Sequence, residues 1–178
     1  DVEGDVRVVD SRSVAMGMGF AVLAAADVAV AGGNVDAVLD AVNRTLALTS
    51  VFFYVDTLEF LRRGGRIGAA QALLGSALAV KPLLGVRDGR IEPLERVRTA
   101  SKAIARLEDL AVDAAGDAPA AVAVHHLGSP TRAESLAQAL DLRLPKVDEL
   151  ITTEVGAVVG AHTGPGMLGV VICNRALA

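Results

Sequence analysis

The sequence predicts an α/β fold, because segments with the residue pattern of β-strands alternate with helix-like segments along almost the whole chain. The clearest strand is 51–55 (VFFYV), a run of β-branched and aromatic residues. The clearest hairpin joins 80–86 to 91–97 through an Asp-Gly pair at 88–89, which is typical of a two-residue turn. The clearest helix is 99–115, whose apolar residues recur on one face.

Capping and breaking residues delimit the other predicted elements. Asn34 follows a Gly-Gly pair and is the expected N-cap of a helix, and Ser129 with Pro130 at the first helical position begins another. The helix before Asn34 is long, rich in Ala and mostly apolar, so we expect it to be buried on most sides. In chain order these elements are a strand at 6–10, helices at 14–31 and 35–48, a short helix capped by Asp56, a helix at 69–78, a strand at 120–126, a helix from 130 to about 142, and strands at 147–155 and 167–173 with a glycine-rich loop between them.

Composition and charge restrict the class of protein. The chain has 178 residues, of which 52% are hydrophobic, so it has enough apolar material for a packed core. Its net charge of −4 argues against a general nucleic-acid binder. Residues 1–13 do not have the pattern of a signal peptide, and the apolar stretch 15–26 is too short to span a bilayer. We therefore expect a cytoplasmic protein whose contact with membranes is transient, and its one cysteine fits a reducing compartment.

The usual signatures of cofactor, metal and nucleophile sites are missing from the sequence. The stretch 160–166 (GAHTGPG) is not a dinucleotide fingerprint or a P-loop, and it precedes a predicted strand, which offers no helix dipole to a phosphate. His125 and His126 are adjacent at a strand end and so point to opposite faces, and no histidine–cysteine pair has zinc spacing. Cys173 lies in an apolar run and is expected to be a buried residue. We expect no cofactor, no metal and no catalytic residue.

His162 is the residue that stands out in this stretch. It is followed by Thr163 and lies among Gly160, Gly164 and Gly166. In one interpretation the glycines only form tight turns and the histidine caps a loop. In the other, the glycines let the backbone approach a ligand closely, while the imidazole and the threonine hydroxyl donate hydrogen bonds to an anion such as a carboxylate. The residue pattern alone leaves both interpretations open.

Four longer stretches carry a resemblance to a known family. They are VRVVDSRSVAMGMGF at 6–20, VDTLEFLRRGGRIGAAQALLGSALAVKPLL at 55–84, DGRIEPLERVRTASKAIARL at 88–107 and GAVVGAHTGPGMLGVV at 156–171. Together they resemble the DegV family in several motifs and in their order, and the resemblance covers nearly the whole chain. It implies two α/β lobes with mixed or parallel sheets.

The resemblance also implies how the chain is divided. The chain is expected to begin part-way through the first lobe of such a protein. On this basis 1–49 is a remnant of the N-terminal lobe and 50–155 is the C-terminal lobe. Residues 156–178 form the Gly-His loop and closing strand beside an interlobe lipid site.

DegV-like proteins bind long-chain fatty acids and present them to a bacterial fatty-acid kinase, which makes the acyl phosphate with ATP. The resemblance therefore implies a carrier in phospholipid metabolism that is not itself an enzyme. His162 matches the family's signature histidine, which contacts the carboxylate, and Thr163 is the expected second donor. Arg66 in GGRI and Arg98 in VRT match arginines associated with docking of the kinase.

The physics of lipid binding agrees with this hypothesis without proving it. About fifteen buried methylenes give a gross driving force of roughly 12 kcal/mol. Residues 69–84 could line a tunnel, but they could equally be ordinary core. One alternative is an α/β transferase domain that binds a phosphate or nucleotide through 160–166, and another is an interaction domain without a ligand. The absence of a Walker-type lysine and of an acidic metal cluster counts against phosphoryl transfer by this chain.

Overall fold

A computed structural model describes residues 6–73 and 80–175, which contain six strands in a single sheet, six α-helices and one 3₁₀ helix. The α/β prediction is therefore confirmed. The elements in chain order are α1 (Met16–Val30), α2 (Val35–Ala47), β1 (Thr49–Tyr54), α3 (Glu59–Arg63), the 3₁₀ helix (Gly68–Leu73), β2 (Lys81–Arg87), β3 (Arg90–Val97), α4 (Ala100–Ala115), β4 (Ala120–His126), α5 (Pro130–Arg143), β5 (Val147–Glu154), α6 (Ala157–Thr163) and β6 (Leu168–Asn174).

The sheet is mixed, with the strand order β3-β2-β1-β6-β4-β5. β4 and β5 are parallel and are joined by the crossover helix α5, whereas every other neighbouring pair is antiparallel. β6 lies in the centre, so that Gly169 is opposite both Phe53 of β1 and His125 of β4.

The two faces of the sheet are covered differently. α4 and α5 cover one face and bury a core that includes Tyr54, Leu83, Leu107 and Leu140. The other face is shared by two groups of helices at opposite ends of the strands. Phe20 of α1 packs over one end, and a cluster from α3 and the 3₁₀ helix packs over the other. A stretch of sheet between the two groups is left without a helix on it.

The N-terminal predictions are partly wrong. Residues 6–10 are not a strand but exposed coil, with Val8 93% exposed, because no strand of the described sheet pairs with them. α1 is not buried on most sides: only Gly17, Phe20 and Ala21 are buried, because the helix touches the sheet along one narrow stripe. None of the helices in 6–73 and 80–175 combines the length and apolarity that crossing a bilayer requires.

Two further differences concern the segments after β1 and β5. The predicted loop at 160–166 is in part a helix, since α6 continues to Thr163 and ends where the Gly164 amide donates to the Gly160 carbonyl. Asp56 does not cap α3. The Glu59 amide instead donates to Oγ1 of Thr57. Ser129 likewise makes no side-chain capping bond, although Pro130 does begin α5 as predicted. Of the helix predicted at 69–78, residues up to Leu73 are 3₁₀ helix and 74–79 lie outside the described residues.

The close approach of α1 to the sheet generates a stability prediction. A Cβ at Gly17 would lie 2.2 Å from Oγ of Ser13 and 2.7 Å from Cγ2 of Val51. Gly17→Ala therefore forces the start of α1 away from β1, and we expect the free energy of unfolding to fall by about 1–3 kcal/mol in denaturant titrations. Gly156→Ala is the control, because a Cβ there meets nothing within 4 Å. Equal stabilities of the two variants would contradict this account.

Candidate functional site

The uncovered stretch of sheet forms the floor of a cavity of about 570 Å³. Its walls come from residues 10–15, which we call the strap, and from α3 and α6 on the opposite side. Most of the lining is apolar. The apolar lining residues include Val51, Phe53, Leu61, Val86, Ile91, Val155, Val159, Met167 and Val171.

Polar side chains line the cavity at two levels along the strands. His125 is level with Phe53, and His162 and Thr163 lie near it at the end of α6. Asp88 is four residues further along β2 than the partner of Phe53, a distance of about 13 Å at the rise of a β-strand. The cavity therefore runs along the strands, with histidines at one end and the β2–β3 turn at the other.

His162 is held against the end of α3. A Cβ at Gly64 would lie only 2.0 Å from Nδ1 of His162, so only a glycine leaves room for the imidazole. The φ of Gly64 is −75°, which any residue can adopt, so the requirement is one of space. Nδ1 of His162 is buried and has no hydrogen-bond partner among the described residues. The nitrogen lies against Gly64 and has almost no accessible surface, so it is not the atom of the ring that a ligand in the cavity would meet.

Thr163 is almost completely buried, with 6% exposure. Its Oγ1 donates to the carbonyl of Val159 at 3.1 Å, a bond within α6 that uses its only proton. A ligand could meet only the lone pairs of this hydroxyl. The role of Thr163 as a carboxylate donor stays a prediction and would require this bond to break.

The three predicted glycines contact the protein and do not line the cavity. A Cβ at Gly164 would lie 2.3 Å from the ring of Phe60, and one at Gly166 would lie 2.1 Å from Oδ2 of Asp56. Both glycines also have positive φ, +75° and +82°, which the turn between α6 and β6 requires. Gly160 packs against the side chain of Leu127. A direct role for them in binding a ligand stays a prediction.

The two predicted docking arginines are in different places. Arg66 is exposed, lines the cavity and donates from Nη1 to the Gly64 carbonyl at 3.0 Å. Arg98 is exposed between β3 and the Thr99 cap of α4, and it does not line the cavity. The structure thus brings Arg66, His162 and Thr163 together and leaves Arg98 apart.

A polar network at the end of β1 was not predicted from the sequence. The hydroxyl of Tyr54 donates to Oδ1 of Asp56, and Nζ of Lys81 donates to the same carboxylate at 3.1 Å and to the Asp56 carbonyl at 3.0 Å. Burial, followed by the hydrogen bond and charge of Asp56, raises the pKa of Tyr54 to about 12. Burial opposes ionisation of Asp56, but the bonds from Tyr54 and Lys81 outweigh it and lower its pKa. The network fixes the carboxylate against which Gly166 packs.

His125 is the second histidine of the cavity, and no local pattern in the sequence marks it. It is 5% exposed, and its Nε2 accepts a hydrogen bond from the Met16 amide at the start of α1. The prediction that His125 and His126 point to opposite faces is confirmed, since His126 lies beside Glu154 and Ser129 and does not line the cavity.

The site geometry weighs against the predicted alternatives. Within 6–73 and 80–175 no group of three or more His, Cys, Asp or Glu side chains is placed to hold a metal ion. Residues 160–166 end α6 and do not begin a helix, so they lack the free N–H groups of a helix N-terminus that bind a phosphate.

Comparison with known proteins identifies relatives along nearly the whole chain. The family model for uncharacterised proteins of the DegV family matches residues 1–175. A DegV domain-containing protein of Streptomyces coelicolor is 64% identical over 170 residues, covering 96% of this chain and 60% of the relative. One of Mycobacterium tuberculosis is 47% identical over 167 residues, covering 94% and 60%. The chain spans about 60% of the length of the relatives that it matches.

Solved structures show the same fold. A DegV-family protein from Thermus thermophilus, described as fatty-acid binding, superposes with a TM-score of 0.90 at 36% identity, covering 97% of this chain and 62% of that one. DegV of Bacillus subtilis, described as a fatty-acid-binding protein, gives a TM-score of 0.84 at 34% identity, covering 96% and 61%.

The network at Tyr54 generates a titration prediction. Tyr54 is the single tyrosine and there is no tryptophan, so the ultraviolet absorbance of tyrosinate reports this residue alone. We expect its midpoint near pH 12 and not near the ordinary value of about 10. The stability that this residue contributes is present below pH 10 and is lost between pH 10 and 12, because the folded state holds the proton more tightly.

Asp56→Asn removes the negative charge beside the phenol, so the midpoint should move down towards 10. A wild-type midpoint near 10 in folded protein, or no change in the Asp56→Asn variant, would contradict the assignment.

Proposed function

This chain belongs to the DegV family, and on that premise we propose that it binds a long-chain fatty acid in the cavity between the strap and α6. The observation that carries the proposal is an apolar cavity with the imidazole of His162 and the guanidinium of Arg66 at one end. The cavity volume of about 570 Å³ lies within the range of small-molecule sites, about 300–1,000 Å³.

The apolar lining supplies the affinity in this proposal. About fifteen methylenes leaving water give a gross driving force of roughly 12 kcal/mol. Association costs of about 4–15 kcal/mol are set against it, so the acyl chain needs most of its length to be covered. The length of the cavity along the strands suits a long chain better than a short one.

The histidine end of the cavity supplies the specificity for a carboxylate. An ionised carboxylate buried without partners is strongly disfavoured, so it is expected where donors are available. His162 offers its imidazole, and Arg66 offers a guanidinium already aligned by its bond to the Gly64 carbonyl. Hydrogen bonds from charged donors to a carboxylate are the stronger class. Gly64 therefore positions both groups, one through its missing side chain and the other through its carbonyl.

We further propose that the chain acts as a carrier for a fatty-acid kinase and performs no chemistry itself. In this reaction a carboxylate oxygen attacks the γ-phosphorus of ATP held by the partner enzyme, and ADP leaves. Positioning the carboxylate is the contribution that a carrier makes to such a step. Arg98, exposed beside the N-terminus of α4, is available to an acidic surface of the kinase. The carrier is proposed to act in the cytoplasm.

Mass spectrometry of the organic extract of purified protein tests fatty-acid binding. We expect a fatty acid in near-stoichiometric amount. No fatty acid at any protein concentration, together with thermal stabilisation by ATP, would instead favour the phosphate-binding alternative.

Gly64→Ala provides the sharper test of the carboxylate end. The new methyl group would occupy the position of the His162 ring, so the imidazole must move. We expect bound fatty acid to fall by at least ten-fold, the loss that corresponds to about 1.4 kcal/mol of binding free energy. Gly156→Ala, on the same side of the molecule with open space for its Cβ, should retain the ligand. Full retention in Gly64→Ala would remove His162 from the site.

Arg98→Ala tests docking separately from binding. The variant should keep its fatty acid, because Arg98 does not line the cavity. Its rate of ATP-dependent acyl-phosphate formation with a bacterial fatty-acid kinase, trapped as the hydroxamate, should fall about ten-fold. Arg87→Ala is the control, since Arg87 is exposed on the β2–β3 hairpin and pairs only loosely with Glu92. An unchanged rate would exclude Arg98 from the docking surface.

A further inference from the structure

The strap, residues 10–15, is tied down at two points. At its middle, the carbonyl of Arg12 accepts the Gly89 amide of the β2–β3 turn at 3.0 Å. At its end, the amide of Met16 donates to Nε2 of His125 at 3.3 Å. The first tie joins main-chain atoms and does not titrate, whereas the second depends on the protonation state of one side chain.

The backbone of the strap is held in an unusual conformation between these ties. Arg12 and Ala15 both have positive φ, 48° and 53°, although neither is a glycine. Ala15 combines its φ with a ψ of −135°, a region that residues with a side chain rarely occupy. Such a conformation persists only where the surroundings enforce it. After Ala15 the chain direction is fixed by the first turn of α1, in which the Ala15 carbonyl accepts the Met18 and Gly19 amides, and by the bond from Met16 to His125.

His125 can hold the strap only as a neutral imidazole. Nε2 accepts the Met16 amide, so in the neutral ring the proton is on Nδ1, which is buried without a hydrogen-bond partner among the described residues. A proton on Nε2 would bring two N–H donors against each other and break the bond. The strap would then lose its tie to β4 and keep its tie to the β2–β3 turn.

We propose that His125 is a positioning residue that closes the strap over the cavity through the Met16 amide, and that protonation of its imidazole opens the strap and releases the bound fatty acid. The release of ligand rests on the proposed function. The opening of the strap does not, because it concerns only contacts within this chain.

The groups around His125 favour its neutral form. Burial is the largest effect and lowers the pKa of His125, and the positive charge that His126 can carry on the same strand lowers it further. The backbone of Thr153 on β5 raises the pKa of His125, but its effect is smaller than that of burial. His162 of α6 lines the same cavity, and the charged strap residues Asp10 and Arg12 line it from the other side.

The sign of the pH effect follows from this lowered pKa. The folded, closed state binds the proton less readily than the open state, so closure is favoured above the ordinary histidine value of about 6.5 and is lost as pH falls below it. Retention of ligand should therefore be full at neutral pH and should decrease in mild acid.

Hydrogen exchange of the strap tests the opening without any ligand. We expect the protection factor of the Met16 amide, corrected for the intrinsic rate at each pH, to fall about ten-fold as pH is lowered through the histidine range. His125→Gln should abolish this pH dependence, because a glutamine carbonyl can accept the Met16 amide but does not titrate. His125→Leu should show low protection at every pH. His126→Gln, which changes the adjacent histidine on the opposite face, should keep the pH dependence, with its midpoint moved slightly upward because the charge of His126 is removed.

Two measurements keep the proposal falsifiable even if a variant fails to fold. In wild-type protein, the NMR titrations of the His125 ring and of the Met16 amide should share one midpoint. Separate midpoints, or a pH-independent Met16 protection factor, would overturn the proposal.

Extraction of lipid from wild type and His125→Gln at neutral and mildly acidic pH then tests release. Acid should deplete fatty acid from the wild type and spare the variant. Equal depletion of both would overturn the link between strap and ligand. Absence of fatty acid from both at neutral pH would overturn the proposed function, while the exchange data would still decide whether the strap opens.

Discussion

The pairing of β6 between β1 and β4 is the contact on which the rest of the fold depends. β1 and β2 form one part of the sheet, β4 and β5 form another, and no strand other than β6 joins the two in the described residues. Six of the seven residues of β6 are buried, which places this strand at the centre of the packing on both faces of the sheet. The turn before it places α6 beside α3, and thereby brings His162 to the cavity. A site built this way forms only after the last strand has found its long-range partners.

The helices on the two faces of the sheet explain where the cavity lies. α4 and α5 are long crossover helices, and together they bury the core on their face. On the other face the helices are either short, like α3 and α6, or anchored at one end, like α1. A glycine at each contact sets how closely the helices approach. Gly17 lets α1 lie close to β1, and Gly64 at the end of α3 lets His162 of α6 lie close to α3. The cavity is the space that these close approaches leave between them.

Much of this could be predicted from the sequence. Strands such as 120–126 were predicted to the residue, because a β-branched and apolar run bounded by turn residues is a local signal. The resemblance to the DegV family and the fold class are confirmed as well. Failures came where a non-local contact decides the outcome. Residues 6–10 have the composition of a strand but have no described strand to pair with, and α6 is too short for periodicity to reveal.

The same difference between local sequence signals and non-local contacts applies to the candidate site. His162 and Arg66 could be selected in advance because glycines and a family motif mark them. Gly64 was not selected from the sequence, yet its missing side chain is what admits the imidazole. His125 was considered only as a metal ligand, and its bond to Met16 spans 109 residues of sequence. Contacts over such separations leave no local pattern, so the partner of each histidine could be found only in the folded chain.

The distribution of charge along the cavity determines which way a fatty acid would lie in it. At the β2–β3 turn, Arg12 is already 3.7 Å from Asp88, and their side chains are 65% and 79% exposed. A carboxylate placed there would compete with an existing partner and would remain in water, where an ion pair contributes little. At α6 the imidazole of His162 and the guanidinium of Arg66 line the cavity together, so a carboxylate there can be held by a charged donor. The proposed carboxylate therefore belongs at α6, and the acyl chain extends along the sheet towards the turn and under the strap. In that orientation the strap covers the tail and leaves the head group to His162, so opening it would weaken binding by returning methylenes to water, without disturbing the carboxylate contacts.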